Sequence, residues 1–481
     1  MNVTPIFLGE FIPYRPLLIK HFPYISSFIV KLSPLEKRII NKTRPFRRLF
    51  YISQLSFLPY SPYLRKLLAK TTGFLSQSVE SLEGYNRGWH SILVRQFSYI
   101  RGSILNKRGL LGREEVEELK VASLLHDVGH GPFSHVFESP VKELTGLDHE
   151  KVGRDIILEE YPTLLRSYGF DEEKIANIAT EHTSSLQTIL LHGKDCITIK
   201  VAGIDIPIFV PFGSDMVAYL HEDPYLTATL TPWYYREQDV ASCINFSDEN
   251  VIIPVTRSFD IYDLTNSYAL LQSQVYNDPF AVVLNRQFQS AVYDYLLNSP
   301  NPEAEARRLF KQTDSQVLNE LRKYKRVKFI LEGVNYRIIK LIYAEEARET
   351  RESETQYVSE LTGIRDLEQL LPKSLYIPAR KLRTLRKKIL KCSIAKEIEE
   401  EFKGILIAAS PFPSRSATKN TSLYIRIEIE SSDISFTEFY KSSLEHLGRY
   451  VFLPNEYVLI AANPYSDWNE KSAEEILESI I

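Results

Sequence analysis

Residues 113–135, REEVEELKVASLLHDVGHGPFSH, set an amphipathic helix against a turn that carries three histidines and an aspartate. Glu114 and Glu115 suit the positive end of a helix. Val116, Leu119, Ala122 and Leu125 recur at helical spacing. Gly129 and the Gly131–Pro132 pair stop the helix. The apolar stripe requires a packed body around it, so the polar side chains of His126, Asp127, His130 and His135 stand at the end of a core helix.

A lone His-Asp pair at such a place reads as packing, with the imidazole hydrogen-bonded by a neighbour. This pair has company. Five of the ten histidines, at 90, 126, 130, 135 and 149, fall within one stretch of sixty residues. Small residues beside His130 let backbone or ligand approach closely. Imidazole nitrogen with carboxylate oxygen suits a divalent ion of the Mn, Fe, Zn or Mg type. A second carboxylate from far along the chain would complete such a site.

The 481 residues suffice for a substantial core, and 44% hydrophobic with 25% charged residues is ordinary for a globular chain. A net charge of −3 exerts no global pull toward nucleic acid or membrane. Cys196, Cys243 and Cys392 form no C-x-x-C pair, which excludes a disulfide scaffold and suits a reducing cytosol. No run of about 18 apolar residues appears, and the N-terminal stretch lacks the basic start and cleavage site of a signal peptide. The expectation is a cytoplasmic protein with no membrane partner.

Helical periodicity is expected over 44–57, 61–82, 87–105, from Asp148 as N-cap, 214–220, and through a long helix ending at Leu297. Residues 196–210 are β-branched and read as a hairpin, and 249–264 as strand-like. Basic and acidic helical segments fill 303–402. GILIAAS, SLYIRIEIE and YVLIAAN read as strands of a small C-terminal α+β unit. The expected organisation is an extension over 1–45, a helical core over 46–375 and an α+β region over 376–481.

RGWHS (87–91), HDVGHGPFSH (126–135), DHE (148–150) and SDMVAYLHED (214–223) occur in that order, preceded by RRLFYISQL (47–55). Over about residues 35–300 the chain resembles the HD-domain deoxynucleoside triphosphate triphosphohydrolases, a group that includes bacterial dGTPases and the sterile-alpha-motif/HD-domain dNTPase of animal cells. YDL (262–264) with Tyr276 fits a later segment of that group. The sterile-alpha-motif part has no counterpart.

The resemblance implies a mostly α fold: an HD helical core with small β-hairpin insertions and a C-terminal α+β subdomain. It implies His90, His126, Asp127 and Asp215 as ligands of a divalent metal, and His149 as general acid, with Glu150 setting its charge. It places His130, His135 and Arg87 near phosphates, His130 also within the catalytic set, and Gln54, Leu55, Tyr219, Asp223 and Tyr276 around the sugar. The implied reaction splits a dNTP into deoxynucleoside and triphosphate. It would serve dNTP-pool depletion or antiviral or antiphage defence, in a homo-oligomer (dimer, tetramer or hexamer) with a possible nucleotide activator. Nucleic-acid binding between subunits is a further expectation.

The chain departs from the family where phosphate is gripped. Met216 stands where a basic residue is usual, and Tyr268 and Gln272 replace arginine and histidine positions. Arg95 or Lys325 are candidates to replace that charge. Two other readings stay open: an HD phosphohydrolase for a nucleotide with fewer phosphates, or a nucleotide- or nucleic-acid-sensing regulator.

Overall fold

A computed structural model describes residues 11–13, 29–58, 86–181, 185–193, 197–201, 204–208, 213–226, 245–247, 250–252, 271, 275–333, 336–345, 348, 374–411 and 456–480. A strand pair, β1 (Phe11–Pro13) and β2 (Ile29–Lys31), precedes α1 (Pro34–Lys42), α2 (Arg44–Arg48) and a 3-10 turn (Leu49–Tyr51). Then come α3 (Arg87–Lys107), α4 (Arg113–Leu125), α5 (His135–Thr145), α6 (His149–Glu160), α7 (Pro162–Arg166), α8 (Glu172–Thr180) and α9 (Leu186–His192). The antiparallel pair β3 (Ile197–Val201) and β4 (Ile204–Ile208) forms the expected hairpin. After α10 (Ser214–Leu226) and the pair β5 (Asn245–Ser247) and β6 (Asn250–Ile252), four helices follow: α11 (Pro279–Leu297), α12 (Pro302–Phe310), α13 (Asp314–Glu320) and α14 (Lys325–Leu331). The chain ends with β7 (Arg337–Ala344), β8 (Ser374–Ile377), α15 (Ala379–Ile389), α16 (Cys392–Glu401), β9 (Ile405–Ala409), β10 (Tyr457–Ala462) and α17 (Glu470–Ile480). The fold is mostly α with a small mixed sheet. Among the described residues, no helix is long and apolar enough to cross a membrane.

The helices that carry the site start where their caps dictate. The Asn86 side chain accepts from Trp89 N and opens α3; Asp148 accepts from Lys151 N at 3.0 Å and opens α6. α4 keeps its sequence period: Val116, Leu119, Ala122 and Leu125 are all buried, against α3 and α8. The amphipathic stretch at 44–57 yields only α2 and the 3-10 turn. Ile52 turns extended, Ser53 bridges to Asn86, and the Ser53 N–H goes to the Asp314 carboxylate instead of continuing a helix. The helix expected at 61–82 and the strand expected at 422–430 lie outside the described residues.

Residues 303–402 are not all helical. Arg337–Ala344 and Ser374–Ile377 are strands of a four-stranded sheet ordered β8-β7-β10-β9, parallel only between β7 and β8. The expected boundary near 376 therefore cuts this sheet, since β7 pairs directly with β10. β7 reads as helix because Lys340 interrupts its apolar run; in the structure Lys340 is buried and bonds Glu474 on α17. Both faces of the sheet are covered, so alternate residues fill two cores. Ile405, Ile407, Val458 and Ile460 pack against α15, α16 and α17. Leu406, Leu459, Leu341 and Tyr343 pack against Val282 and Val283 of α11 and Phe329 of α14. A sheet buried on both faces loses the polar alternation that marks a strand.

Glu399 on α16 fastens this unit to the helical body. Its carboxylate accepts from Arg286 of α11 at 3.1 and 3.3 Å, from Arg326 of α14 at 2.7 Å and from Ile407 N of β9 at 3.1 Å. Burial raises its pKa, but Arg286 and Arg326 outweigh that and hold it below the usual carboxylate range. Glu399→Ala leaves Arg286 buried without its counter-ion and is expected to cost about 3–5 kcal/mol in urea unfolding. Because the folded-state pKa is depressed, the bond's contribution is full above the ordinary glutamate value of about 4.3 and is lost as pH falls through the lower folded value. An unchanged unfolding midpoint would show that the carboxylate is not a fastening.

Candidate metal centre

α3, the end of α4 and the start of α10 bring His90, His126, Asp127 and Asp215 together. His90 Nε2 lies 2.8 Å from Asp215 Oδ1 and 3.9 Å from Asp127 Oδ2. His126 Nε2 lies 3.3 Å from Asp127 Oδ1 and 3.6 Å from Asp215 Oδ1, without a hydrogen bond to either. His126 Nδ1 donates to Ser123 O at 2.8 Å, which leaves Nε2 facing the two carboxylates; burial lowers the His126 pKa, but Asp127 and Asp215 outweigh it and raise the imidazole above its usual value. The histidines and Asp127 are buried, while the Asp215 side chain is 31% exposed. Burial raises both carboxyl groups, but Arg87, His126 and His130 hold Asp127 well below the usual range, and His126 and His90 do the same for Asp215. Two carboxylates and two imidazoles around an unbonded, buried His126 Nε2 fit a divalent cation and favour no one metal.

Gly129 sets the path of the loop that follows. A Cβ there would lie 2.0 Å from His149 O and 2.3 Å from Gly153 N, so the loop runs directly on the α6 backbone. This contact stacks His130 on His149, ring centroids 4.1 Å apart and 8° from parallel. His149 Nδ1 meets Glu138 Oε2 at 2.5 Å, and the same oxygen accepts from His149 N at 3.2 Å. Glu138 thus takes the place that the sequence reading gave to Glu150. Glu150 follows His149 on the first turn of α6 and acts on it only as a weaker charge, whereas Glu138 reaches across from α5. Burial lowers the His149 pKa, but Glu138 outweighs it, and the imidazole is raised above its usual value. His149 Nε2 is then the nitrogen left to exchange a proton.

The remaining expected residues divide. His130 is buried, with Nε2 3.2 Å from Asp127 Oδ1, and burial together with Arg87 and His149 holds it well below the imidazole range. It is therefore neutral at pH 7, not a cation for phosphate. His135 is 60% exposed and 3.8 Å from Glu138. The ligand atoms of His130, His135, Glu138 and His149 also lie within 4.8 Å of one another. One cation cannot lie near the ring planes of both His130 and His149, however, because those planes are parallel.

Arg87 is buried and committed: Nη1 donates to Asp127 Oδ2 at 2.8 Å and Nε to Ser134 Oγ at 2.9 Å. Arg95 cannot replace missing phosphate charge, because it faces away and pairs with buried Glu36. Lys325 lies over the Phe329 ring at 5.4 Å. Met216 packs against the helical core, and Tyr268 and Gln272 lie outside the described residues. Tyr219 and Asp223 follow Asp215 on α10 at one- and two-turn spacing. Tyr276 donates to Asp223, and burial pushes the Asp223 carboxyl up to about 8. Gln54 and Leu55 lie in the turn after Ser53, with Gln54 Oε1 buried and unbonded.

Two measurements check this geometry. In Glu138→Gln, the His149 imidazole should titrate lower than in wild type by NMR; an unmoved titration would remove Glu138 as its partner. Gly129→Ala drives a methyl into backbone and should cost at least the ~1–3 kcal/mol of an overpacked core. A wild-type melting temperature would contradict that close approach.

Residues 87–208 match the HD domain family model. A putative HD domain-containing protein of Acanthamoeba polyphaga mimivirus is 24% identical over 263 residues, which is 52% of this chain and 52% of that protein. The uncharacterized protein YwfO of Bacillus subtilis (strain 168) is 28% identical over 169 residues, 34% of each chain. The chain thus spans about half the length of the first of these relatives and a third of the second. Among solved structures, a hypothetical protein from Aquifex aeolicus superposes with a TM-score of 0.60 at 16% identity, covering 94% of this chain and 97% of that one. A phosphohydrolase from Bacteroides thetaiotaomicron superposes with a TM-score of 0.52 at 14% identity, covering 88% and 94%. At such identities the likeness is one of fold. The stretch that matches the HD domain takes in His90, His126, Asp127, Glu138 and His149, and Asp215 lies just beyond it.

Proposed function

We propose that the protein is a divalent-metal-dependent phosphohydrolase that cleaves deoxynucleoside triphosphates to deoxynucleoside and triphosphate. The observation that carries this reading is the raised His149–Glu138 pair standing beside the His90, His126, Asp127 and Asp215 set. The HD match supports it, as does the name phosphohydrolase borne by one structural neighbour. A divalent ion held by those four residues supplies Lewis acidity and neutralises phosphate charge. His149, whose protonated form Glu138 favours, gives its Nε2 proton to the leaving sugar oxygen. Neutral His130 stacks beneath it without competing for that proton. Asp223, protonated near neutral pH and held through Oδ2 by the Tyr276 hydroxyl, offers its carboxyl group to a sugar without repelling an anion. Gln54 Oε1 is a buried acceptor on the neighbouring turn.

A second reading, a substrate with fewer phosphates, is favoured by one observation. Arg87 is bound to Asp127 and Met216 packs against the core, so among the described residues few side-chain cations remain for a triphosphate. A panel of dNTPs, dNDPs and dNMPs with Mn²⁺, followed by ³¹P NMR, separates the two. Tripolyphosphate from dNTPs is expected. Pyrophosphate or orthophosphate alone would sink the triphosphohydrolase reading. Replacing His126 and Asp127 together by alanine should abolish both metal uptake and turnover.

A further inference from the structure

Two ionisable residues that lie outside the HD match, Arg48 and Asp314, hold the loop between Asp127 and Ser134. Arg48, at the end of α2, is buried; its Nη2 donates to Val128 O at 3.0 Å and its Nη1 to Gln312 O at 3.2 Å. Asp314, the first residue of α13, accepts from two backbone N–H groups of different segments. Phe133 N reaches Oδ1 at 2.7 Å, and Ser53 N reaches Oδ2 at 2.8 Å. The loop is therefore gripped near its entry by Arg48 and near its exit by Asp314.

The exit is where grip is needed. Phe133 and Ser134 both have φ of +56°, in the left-handed region that side chains other than glycine rarely adopt. Such backbone persists only where its surroundings over-determine it. Here the Phe133 ring stacks on Phe57 at 4.1 Å and meets Phe288 at 4.9 Å. Ser56 Oγ donates to Phe133 O at 2.8 Å, and Ser134 Oγ donates to Ser53 O at 2.7 Å. Ser134 Oγ in turn receives Arg87 Nε, and Arg87 Nη1 rests on Asp127. A continuous set of bonds runs from Asp314 through the strained turn and Arg87 to the Asp127 carboxylate.

The geometry points to Asp314 as a positioning residue. It fixes the Phe133–Ser134 turn, and thereby Arg87 and Asp127, while locking that turn to the segment that bears Gln54. The inference rests on the reading of Asp127 as a metal ligand. A carboxylate is required because each oxygen takes a different N–H. Asparagine keeps the shape but offers one oxygen and turns an NH₂ toward the other donor.

The test uses the full chain as wild type, Asp314→Asn and Asp314→Ala. Hydrogen exchange is followed over 127–135, Mn²⁺ affinity by calorimetry, and kcat and KM on the substrate found above. Asp314→Asn should speed exchange at the Phe133 amide, weaken Mn²⁺ binding about tenfold and lower kcat by a similar factor, with a smaller change in KM. If Asp314→Ala does not fold, the isosteric variant carries the test alone. A lowered melting temperature with wild-type Mn²⁺ affinity and kcat would overturn the proposal, since a merely structural contact does that. Unchanged Phe133 exchange would overturn it as well. If the wild type hydrolyses no phosphoester, the functional reading falls while exchange and Mn²⁺ affinity still decide the role of Asp314.

Discussion

Asp127 is a carboxylate withdrawn from water and kept ionised, and most of the site's order follows from that burden. An ion removed from solvent without partners costs several kcal/mol. Arg87 supplies the charge, with His126 and His130 beside it. Arg87 and His90 stand one turn apart on α3, so one helix face delivers both the counter-ion and a ligand-type imidazole. This is why α3 and α4 must pack closely and why the loop after Asp127 has almost no freedom.

One ring stands between the His149–Glu138 pair and the His90, His126, Asp127 and Asp215 set. His130 touches Asp127 through Nε2 and covers His149 with its face. Two stacked imidazoliums would repel, so only one of the pair can hold a second proton. Burial of His130 and the Glu138 carboxylate on His149 both assign it to His149. A neutral His130 thus links the His149–Glu138 pair to the His90, His126, Asp127 and Asp215 set without adding a charge of its own.

The sequence shows what is local. The α4 stripe, the Asp148 cap, the β3–β4 hairpin and the start of α10 all read correctly because their signals lie within a few residues, whereas α4 ends at Leu125, ahead of the glycines expected to stop it. Partners that meet across space do not. Glu138 is three residues beyond His135 and gives no sign that it faces His149; the adjacent Glu150 looked the better partner. Arg87 reads as a phosphate contact because sequence cannot show that Asp127 occupies it. β7 is hidden because a strand covered on both faces carries no alternation. One signal for Glu138 was available: an acid one turn into a helix that begins at a histidine, in a segment already dense with imidazole.

Helix α5 carries the argument to its last step. It begins at His135 in the strained turn, presents Glu138 to His149, and ends beside Glu143, whose carboxylate accepts from Cys392 N at 2.6 Å and Ser393 N at 3.0 Å at the start of α16. Those acceptances satisfy N–H groups that a helix start leaves open and that no α16 N-cap side chain covers. The helix that sets the charge of His149 is thus bonded at one end to the HD loop and at the other to the sheet-bearing unit, with Glu138 and Glu143 about 7.5 Å apart along its axis. α11 joins the same two parts through Phe288, which packs on Phe133, and Arg286, which pairs with Glu399. With two helices spanning both, the C-terminal unit is part of the scaffold that fixes the dyad, and the HD segment alone does not contain everything that holds its own loop in place.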